Sequence, residues 1–352
     1  MPKQSVPTPL NPPSRRPVDR LGRPLHDLRI SVMDRCNFRC PYCMPADRYH
    51  DDFKFLHSDE RLSFAEIIRL ARLFVRLGVK KIRITGGEPL LRPEIEELIG
   101  ELSLIEGIED VALTTNGVLL AQHAASLKAA GLHRITVSLD SIDEEIFKRM
   151  TGGRGGLDRV LDGIAAAQDA GLDPVKLNVV VQRGVNDECV LELVRHFRHS
   201  GVIVRFIEYM DVGTMNHWRP EDTVSSRELL DRISKRWPLQ PVDRSYRGEV
   251  ADRYEFEDGG GEIGFVSSVT EPFCRDCTRA RLSSDGKLFN CLFANRGLDL
   301  RSVLRNGVSD EDLINMIHDN WARRTDRYSE LRASLRDSSG EMKRVEMYYI
   351  GG

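Results

Sequence analysis

The feature that most constrains the fold is an alternation of short apolar runs with longer amphipathic stretches, from residue 28 to about residue 237. Six runs are rich in β-branched residues and end in polar or glycine clusters, which predicts strands. They span 28–33, 81–85, 110–114, 134–139, 175–181 and 202–208. The helix-like stretches, most of which end near a glycine, span 63–77, 93–105, 119–130, 143–150 with 157–170, 187–199 and about 225–237. Six such repeats predict an α/β fold with a parallel sheet and right-handed crossovers. Periodicity alone leaves open whether the sheet is open or curled into a partial barrel.

The two ends of the chain have a different character. Six prolines lie between Pro2 and Pro17, and residues 1–24 are therefore predicted to form a disordered, proline-rich arm. After Pro238 the pattern changes to short antiparallel strands within 249–269 and helices near 298–305, 309–322 and 327–332. We therefore predict a barrel-like region at 25–240 and a C-terminal region at 241–352.

Composition excludes several function classes. The 352 residues carry a net charge of −3, which provides no global basic field for nucleic acid. No apolar run approaches the roughly 20 residues that span a bilayer, and the N-terminus lacks the apolar segment of a secretory signal. We predict a cytoplasmic protein with no nucleic-acid or membrane partner.

Seven cysteines form an odd set, and six of them fall into two tight triplets. Metal or cluster chemistry in the cytoplasm fits this spacing better than a disulfide framework. The seventh, Cys189, lies in a helix-like stretch and is interpreted as a small apolar helix residue.

The first triplet, Cys36, Cys40 and Cys43, follows the first predicted strand with the spacing C-x3-C-x2-C. Three thiolates on one short loop can hold three irons of a four-iron cluster, and no fourth cysteine lies nearby to close the site. One iron would then be open to a small ligand. Part of a zinc site and ordinary buried thiols are the alternatives.

Polar motifs follow the later predicted strands. Thr85-Gly86-Gly87-Glu88-Pro89 ends the second, and its glycines let the backbone approach a ligand closely. The others are Thr114–Gly117, Ser138–Ser141, Lys176 with Asn178, and Glu208–Met210. Each alone is an ordinary polar strand end. In a parallel barrel such ends meet at one mouth, which predicts a shared substrate and cofactor cavity.

The second triplet is Cys274, Cys277 and Cys291, with spacing C-x2-C-x13-C. Zinc is a serious alternative here, because C-x2-C pairs are common zinc ligands. The missing fourth ligand and the adjacent Arg279 and Arg281 favour a second open cluster beside an anionic substrate. The terminal Gly351-Gly352 is either a frayed end, the usual outcome, or a flexible tail that threads into a cavity.

Taken together, the strings DRCNFRCPYCMP, TGGEPLLR, TTNG and CRDCTRARL and the terminal Gly-Gly resemble the radical S-adenosylmethionine (SAM) enzymes, and among them the molybdenum cofactor biosynthesis protein A family. The resemblance runs from about Leu21 to Gly352, with Met33 as one departure where a small polar residue is expected. It implies a partial (βα)6 TIM-type barrel with a C-terminal α+β extension that binds an auxiliary cluster.

The resemblance also implies a role for each matching position. Two 4Fe–4S clusters would be ligated by Cys36, Cys40 and Cys43 and by Cys274, Cys277 and Cys291. SAM would contact Tyr42, Gly87, Ser138 and Met210. GTP would contact Arg29, Arg83, Thr114, Lys176, Arg279, Ala280 and Arg281. Arg279, Arg281, Gly351 and Gly352 would be needed for catalysis.

The implied reaction is a radical cyclisation of GTP. A 5′-deoxyadenosyl radical from SAM would take hydrogen from the ribose 3′ carbon, and the new radical would attack carbon 8 of guanine. The implied partners are a small reducing electron-transfer protein, the next enzyme of molybdenum cofactor biosynthesis and a second copy of the chain. A peptide-modifying radical SAM enzyme and a non-catalytic metal-binding scaffold remain alternatives.

Overall fold

The chain alternates strands and helices up to about residue 234, as the sequence predicts. The computed structural model describes residues 16–244, 246, 248–338 and 344–351. Its first six strands are β1 (Asp27–Ser31), β2 (Lys81–Thr85), β3 (Asp110–Thr115), β4 (Arg134–Ser138), β5 (Lys176–Val181) and β6 (Ile203–Glu208). The helices of this part are α1 (Phe64–Arg76), α2 (Ile95–Ser103), α3 (Leu120–Ala129), α4 (Glu144–Thr151), α5 (Leu157–Asp169), α6 (Val190–Phe197) and α7 (Ser226–Ser234).

Local sequence explains the first helix. Ser63 accepts a hydrogen bond from the backbone N–H of Glu66, and the Glu66 carboxylate accepts one from the N–H of Ser63 at 2.7 Å. This reciprocal pair is a capping box, which satisfies two N–H groups that have no partner within the helix. Ile67, Leu70 and Phe74 recur at helical spacing and are fully or almost fully buried.

The six strands form a parallel sheet in sequence order, and C-terminal strands extend it at both sides. These strands are β7 (Leu239–Val242), β8 (Asp252–Phe256), β9 (Glu262–Val266), β10 (Arg279–Leu282), β11 (Lys287–Phe289) and β12 (Leu298–Asp299). The twelve-stranded order is β12-β11-β10-β1-β2-β3-β4-β5-β6-β9-β8-β7, so the sheet does not close on itself. This is the open, partial barrel that the resemblance implies.

The C-terminal region supplies the remaining helices, which are α8 (Leu300–Arg305), α9 (Asp310–Ala322), α10 (Tyr328–Ser338) and α11 (Met347–Ile350). Because β10 pairs with β1 and β9 pairs with β6, residues beyond 240 continue the same sheet. The division near residue 240 stays a prediction. Within the described ranges, every helix is too short or too polar to cross a bilayer.

The N-terminal segment differs from the prediction in its last residues. Residues 1–15 lie outside the described residues, but residues 16–24 are packed against the protein. Arg23 is fully buried, pairs with Asp19 at 2.5 Å and donates to the carbonyl oxygen of Cys274 at 2.7 Å. Residues 16–24 are therefore ordered, contrary to the prediction, because Arg23 ties this segment to the second cysteine loop.

Candidate active site

One cavity of about 300 Å³ lies inside the partial barrel and brings both cysteine triplets together. All seven cysteines are free thiols. The cavity is lined by fifteen of the residues to which the resemblance assigns a role, namely Arg29, Cys36, Cys40, Tyr42, Cys43, Arg83, Gly87, Thr114, Ser138, Met210, Cys274, Cys277, Arg279, Arg281 and Cys291. The predicted site residues are thus neighbours in space although they come from distant parts of the chain.

The first cysteine loop, residues 36–43, is held by its own backbone and by a buried arginine. The N–H groups of Cys43 and Met44 both donate to the carbonyl oxygen of Cys40, which makes a tight turn. Arg39 donates to the carbonyl oxygens of Cys36 at 2.7 Å and Tyr49 at 2.5 Å. These bonds fix the loop while leaving its three thiols beside the cavity.

Without a bound cluster, the thiols of this loop resist ionisation. Burial, reinforced by Glu88, raises the pKa of Cys36 to about 12. Burial and the neighbouring thiols raise the pKa values of Cys40 and Cys43 as well. A metal cation bound here would favour loss of the thiol protons, since metal ligation requires thiolates. The donor set therefore fits an iron–sulfur cluster.

The Gly-Gly-Glu-Pro segment lies directly against this loop. Gly87 donates to the carbonyl oxygen of Met33, and Glu88 donates to that of Arg35, each at 2.7 Å. A Cβ atom at Gly87 would clash with the carbonyl oxygen of Arg35. Position 87 thus requires glycine for close backbone approach, and the Gly87 backbone remains on the cavity wall.

Ser138 and Met210 line the cavity together with Tyr42 of the first loop. The Tyr42 hydroxyl donates to Asp140 at 2.8 Å, and the other Asp140 oxygen accepts from the N–H of Val180 at 2.8 Å. Burial raises the pKa of Asp140 to about 6. Asp140 belongs to the polar motif Ser138–Ser141, but its bond to Tyr42 depends on the fold and is not indicated by the spacing of that motif.

A row of guanidinium groups crosses the barrel below the cysteine loops. Strand register places Arg29 directly opposite Arg83 on one side and Arg281 on the other. Burial and the charges of Arg281, Arg279 and Arg83 lower the pKa of Arg29 well below its usual range. Like charges directly opposite each other in a sheet are destabilising. This row is therefore built to receive an anion.

Further cations extend the row. Arg83 donates to Thr114 at 3.0 Å. Burial, together with Arg205 and Arg134, lowers the pKa of Lys176 to about 8. Arg205, which sequence reasoning missed, lines the cavity with a buried Nε atom that has no hydrogen-bond partner. An unpartnered buried donor costs free energy, which a bound phosphate oxygen would recover.

Two arginine side chains contact one sulfur atom of the second cysteine loop. Arg279 and Arg324 each donate to the Sγ atom of Cys277 at 3.3 Å. Burial opposes ionisation, but Arg279 and Arg324 outweigh it and lower the pKa of Cys277 to about 6. Burial and Asp326 raise the pKa of Cys291 to about 12. Arg324 lies in the connection between α9 and α10, where no sequence motif marks it.

The arrangement of the thiols bears on the kind of metal. In the described ranges, no three His, Cys, Asp or Glu side chains gather closely enough to hold one metal ion. Ligands of one tetrahedral zinc would have to converge at about 2.0–2.3 Å from a common centre. A four-iron cluster instead gives each thiolate its own iron. Three cysteines without a fourth in each triplet match the three ligated irons of an open cluster.

The C-terminal tail enters the cavity rather than fraying. Ile350 is fully buried, and the carbonyl oxygen of Gly351 accepts a hydrogen bond from Arg281. Gly351 has φ +69° and packs so tightly on Thr85 that a side chain would clash there. Gly352 lies outside the described residues.

Two predicted contact positions do not line the cavity, Lys176 and Ala280. Ala280 is 1% exposed and belongs to the hydrophobic core, because it alternates with Arg279 and Arg281 along β10. A contact from Ala280 to a ligand would have to use its backbone.

The partial barrel and its two open cysteine loops define a radical SAM enzyme. Residues 30–197 match the family model of the Radical SAM superfamily, and residues 202–330 match that of Molybdenum Cofactor Synthesis C. The chain is 57% identical over 334 residues to GTP 3′,8-cyclase of Xanthomonas campestris pv. campestris (strain B100), covering 95% of this chain and 97% of that one. It is 51% identical over 356 residues to GTP 3′,8-cyclase of Acidothermus cellulolyticus, covering 95% and 98%. The chain therefore belongs to the GTP 3′,8-cyclase family.

Solved structures show the same fold at low identity. The crystal structure of Streptococcus suis SuiB bound to S-adenosylmethionine has a TM-score of 0.58 and 17% identity, covering 85% of this chain and 66% of that one. Methylornithine synthase (PylB) has a TM-score of 0.50 and 15% identity, covering 89% and 86%. These likenesses concern the fold alone.

Proposed function

We propose that this chain converts GTP to 3′,8-cyclo-7,8-dihydroguanosine 5′-triphosphate, the first step of molybdenum cofactor biosynthesis. The observation that carries the proposal is the row of Arg29, Arg83 and Arg281, which lies in a cavity lined by both cysteine loops. The activity named for the relatives agrees with such a cavity. A nucleoside triphosphate is the anion that matches several cations beside two clusters.

Each end of the cavity would hold its own reactant. Cys36, Cys40 and Cys43 would ligate one 4Fe–4S cluster, next to Tyr42, Gly87, Ser138 and Met210 for SAM. Cys274, Cys277 and Cys291 would ligate the second, next to the guanine ring. When bound and reduced, the first cluster and SAM supply a 5′-deoxyadenosyl radical that removes hydrogen from the ribose 3′ carbon.

The cationic row would bind and orient the triphosphate, which carries about four negative charges. Arg29, Arg83 and Arg281 are separated from water and repel one another, so their protonated forms gain from an anion between them. Arg279 would serve both the second loop and the phosphates. Fixing the triphosphate fixes the ribose between the loops, which supplies orientation for the reaction.

The tail would complete the cavity wall. Gly351 accepts from Arg281 and packs on Thr85, so the last residues aim a guanidinium at the substrate and exclude water beside it. Gly351 and Gly352 would thus act with Arg279 and Arg281 in catalysis.

The wider setting follows from the same chemistry. Cleavage of SAM consumes an electron, so we propose a small reducing electron-transfer protein as donor. The product would pass to the next molybdenum cofactor enzyme, in the cytoplasm, and the chain would act as a homodimer.

An anaerobic incubation with SAM, dithionite and GTP tests the function. Loss of one hydrogen atom to 5′-deoxyadenosine, followed by uptake of one electron and one proton, leaves the product isomeric with GTP. We therefore expect a nucleotide of the mass of GTP with a different chromatographic retention, formed together with 5′-deoxyadenosine. The enzyme should contain about eight irons per chain. Unchanged GTP from a fully loaded enzyme would overturn the proposal, as would a colourless zinc protein.

A further inference from the structure

The segment that leads into the tail is held by a buried polar cluster, which we call the Asp211 cluster. Its members are Asp211, Phe293, Tyr328, Arg332 and Arg344. Asp211 directly follows Met210 at the end of β6, whereas Arg344 lies seven residues before Gly351. The cluster therefore joins the first-loop end of the cavity to the C-terminus.

Asp211 accepts hydrogen bonds from three side chains. One carboxylate oxygen accepts from the Tyr328 hydroxyl at 2.5 Å and from Nη1 of Arg344 at 3.0 Å. The other accepts from Nε of Arg332 at 2.8 Å. Nη1 of Arg344 also donates to the backbone oxygen of Asp211 at 2.7 Å. The side chains of Asp211 and Arg344 are only 11% and 15% exposed, so their contact is largely protected from water.

The same cluster bears on the second cysteine loop. Phe293 stacks on Tyr328 with ring centroids 4.4 Å apart, and its backbone N–H donates to Sγ of Cys291 at 3.5 Å. The guanidinium of Arg344 lies 4.3 Å from the Tyr328 ring centroid. Arg344 thus contacts the Tyr328 ring on which Phe293 stacks. Phe293 itself lies two residues beyond Cys291, a proposed cluster ligand.

Beyond Arg344 the chain runs straight into the cavity. The N–H of Val345 donates to the carbonyl oxygen of Ala294 at 3.1 Å, and Glu346 accepts from Thr214 at 2.6 Å. Met347 and Tyr348 then line the cavity, and Gly351 reaches Arg281. Arg344 anchors the start of this segment through its ion pair with Asp211.

We propose that Asp211 is a positioning residue that seats the catalytic tail through Arg344. Asp211 binds both Arg344 and Tyr328. It therefore links two contacts: that of Gly351 with Arg281 in the tail, and that of Phe293, which stacks on Tyr328, with Cys291. The role of the tail in cyclisation rests on the proposed function; the mechanical link from Asp211 to the tail does not.

The test compares Arg344→Ala with Arg327→Ala in the anaerobically loaded enzyme. Arg327 lies just before α10 and pairs with Glu330, three residues along the chain, so it is a matched control. Two quantities are measured: hydrogen exchange of residues 344–351, and the ratio of cyclised nucleotide to 5′-deoxyadenosine. We expect Arg344→Ala to exchange at least tenfold faster over 344–351 and to lose at least tenfold in the ratio, with Arg327→Ala unchanged in both.

A comparison of readouts separates positioning from a general loss of structure. Arg344→Ala should keep about eight irons per chain and should continue to release 5′-deoxyadenosine, because Arg344 contacts Asp211 and Tyr328, neither of which ligates a cluster. Asp211→Asn, which keeps the shape of the side chain, should reproduce the faster exchange. Unchanged exchange in Arg344→Ala, or a loss of 5′-deoxyadenosine release as large as the loss of cyclisation, would overturn the proposal. If wild-type enzyme makes no cyclised nucleotide, the proposed function fails and the exchange result still decides the role of Asp211.

Discussion

The two cysteine loops face one cavity, but Cys36 of the first loop and Cys277 of the second have different electrostatic surroundings. At the first loop, Cys36 accepts from the N–H of Phe38 at 3.4 Å and from the amide of Asn116 at 3.7 Å, both uncharged donors. At the second loop, Cys277 accepts from two guanidinium groups. Burial raises the pKa of Cys36 to about 12, as it does that of Cys291, whereas Arg279 and Arg324 lower the pKa of Cys277 to about 6.

This difference in charge indicates how one cavity would bind two different reactants near its two loops. At the first loop the carboxyl groups of Glu88 and Asp140 lie near the thiols, which suits a ligand with a cationic group such as SAM. The second loop continues directly into β10, where Arg281 lies opposite Arg29 and the charge of Arg279 also acts on Arg29. Anions are therefore favoured at that end. Charge sorts the reactants before any contact specific to either is made.

The largest expected effect distinguishes the two loops by their ligands. Cys36→Ser should abolish release of 5′-deoxyadenosine, because the first cluster loses a ligand. Cys291→Ser should leave that release measurable while cyclisation is lost. Chromatography of the nucleosides checks both. Loss of 5′-deoxyadenosine in both variants, with about four irons still bound, would contradict the proposal that the first loop serves SAM cleavage and the second serves cyclisation.

Deleting Gly351 and Gly352 should remove cyclisation while both clusters assemble, because Gly351 contacts Arg281 and Thr85, neither of which ligates a cluster. Iron analysis should still give about eight irons per chain. Full turnover by the shortened chain would show that the tail has no part in the chemistry.

Arg279→Ala should weaken GTP binding by about 2 kcal/mol, the loss of a hydrogen bond to a charged group, or roughly 30-fold in Kd. SAM cleavage should change little, since Arg279 belongs to the second loop. Equilibrium binding of GTP to the loaded enzyme measures the effect. Arg275→Ala is the control, because the Arg275 side chain is 81% exposed. Equal GTP affinity in wild type and Arg279→Ala would contradict the proposal that GTP binds beside the second cysteine loop.

Although Lys176 does not line the cavity, it neighbours the cavity-lining Arg205, and GTP binding should therefore depend on pH through the Lys176 amine. Burial lowers its pKa to about 8, so the free protein is partly deprotonated there. A triphosphate favours the protonated amine, and binding should therefore take up protons near pH 8 and strengthen as pH falls from 9 to 7. Calorimetry in buffers of different ionisation enthalpy measures the uptake. Lys176→Met should reduce it; an unchanged uptake would place the titrating group elsewhere.

The smallest effect concerns thiol reactivity in the cluster-free chain. Since a group is ionised above its pKa, Cys277 should react with iodoacetamide at neutral pH, with a midpoint near pH 6. Cys291 should react slowly until far higher pH. Arg324→Gln should move the Cys277 midpoint upward. Peptide mass spectrometry resolves the sites, and identical midpoints for the two cysteines would contradict the electrostatic contrast.

Most of the barrel was predictable because its signals are local. β-branched runs, helical spacing and terminal glycines placed all six parallel strands within one or two residues. Strand β7 was missed because Pro241 argues against a strand, yet β7 is at the edge of the sheet, where a missing N–H is tolerated. Helix α11 has four residues, and its buried Ile350 indicates that tertiary packing rather than propensity holds it.

The site was predictable where residue type and spacing carry the chemistry, as in the two triplets and Gly87. Arg205, Arg324 and Asp211 were missed because each is an isolated polar residue in the sequence. Arg205 gains its meaning from its hydrogen bond to Thr136 and from the neighbouring cations Arg83 and Arg134, and Arg324 from a contact with Cys277 across the fold. Long-range pairings of this kind leave no local pattern.

The most direct test of the central claim uses GTP carrying deuterium at the ribose 3′ carbon. If one cavity holds the nucleotide between the two loops, 5′-deoxyadenosine formed anaerobically should gain one deuterium and appear together with the cyclised nucleotide. Unlabelled 5′-deoxyadenosine, formed at the same rate with and without GTP, would contradict the account.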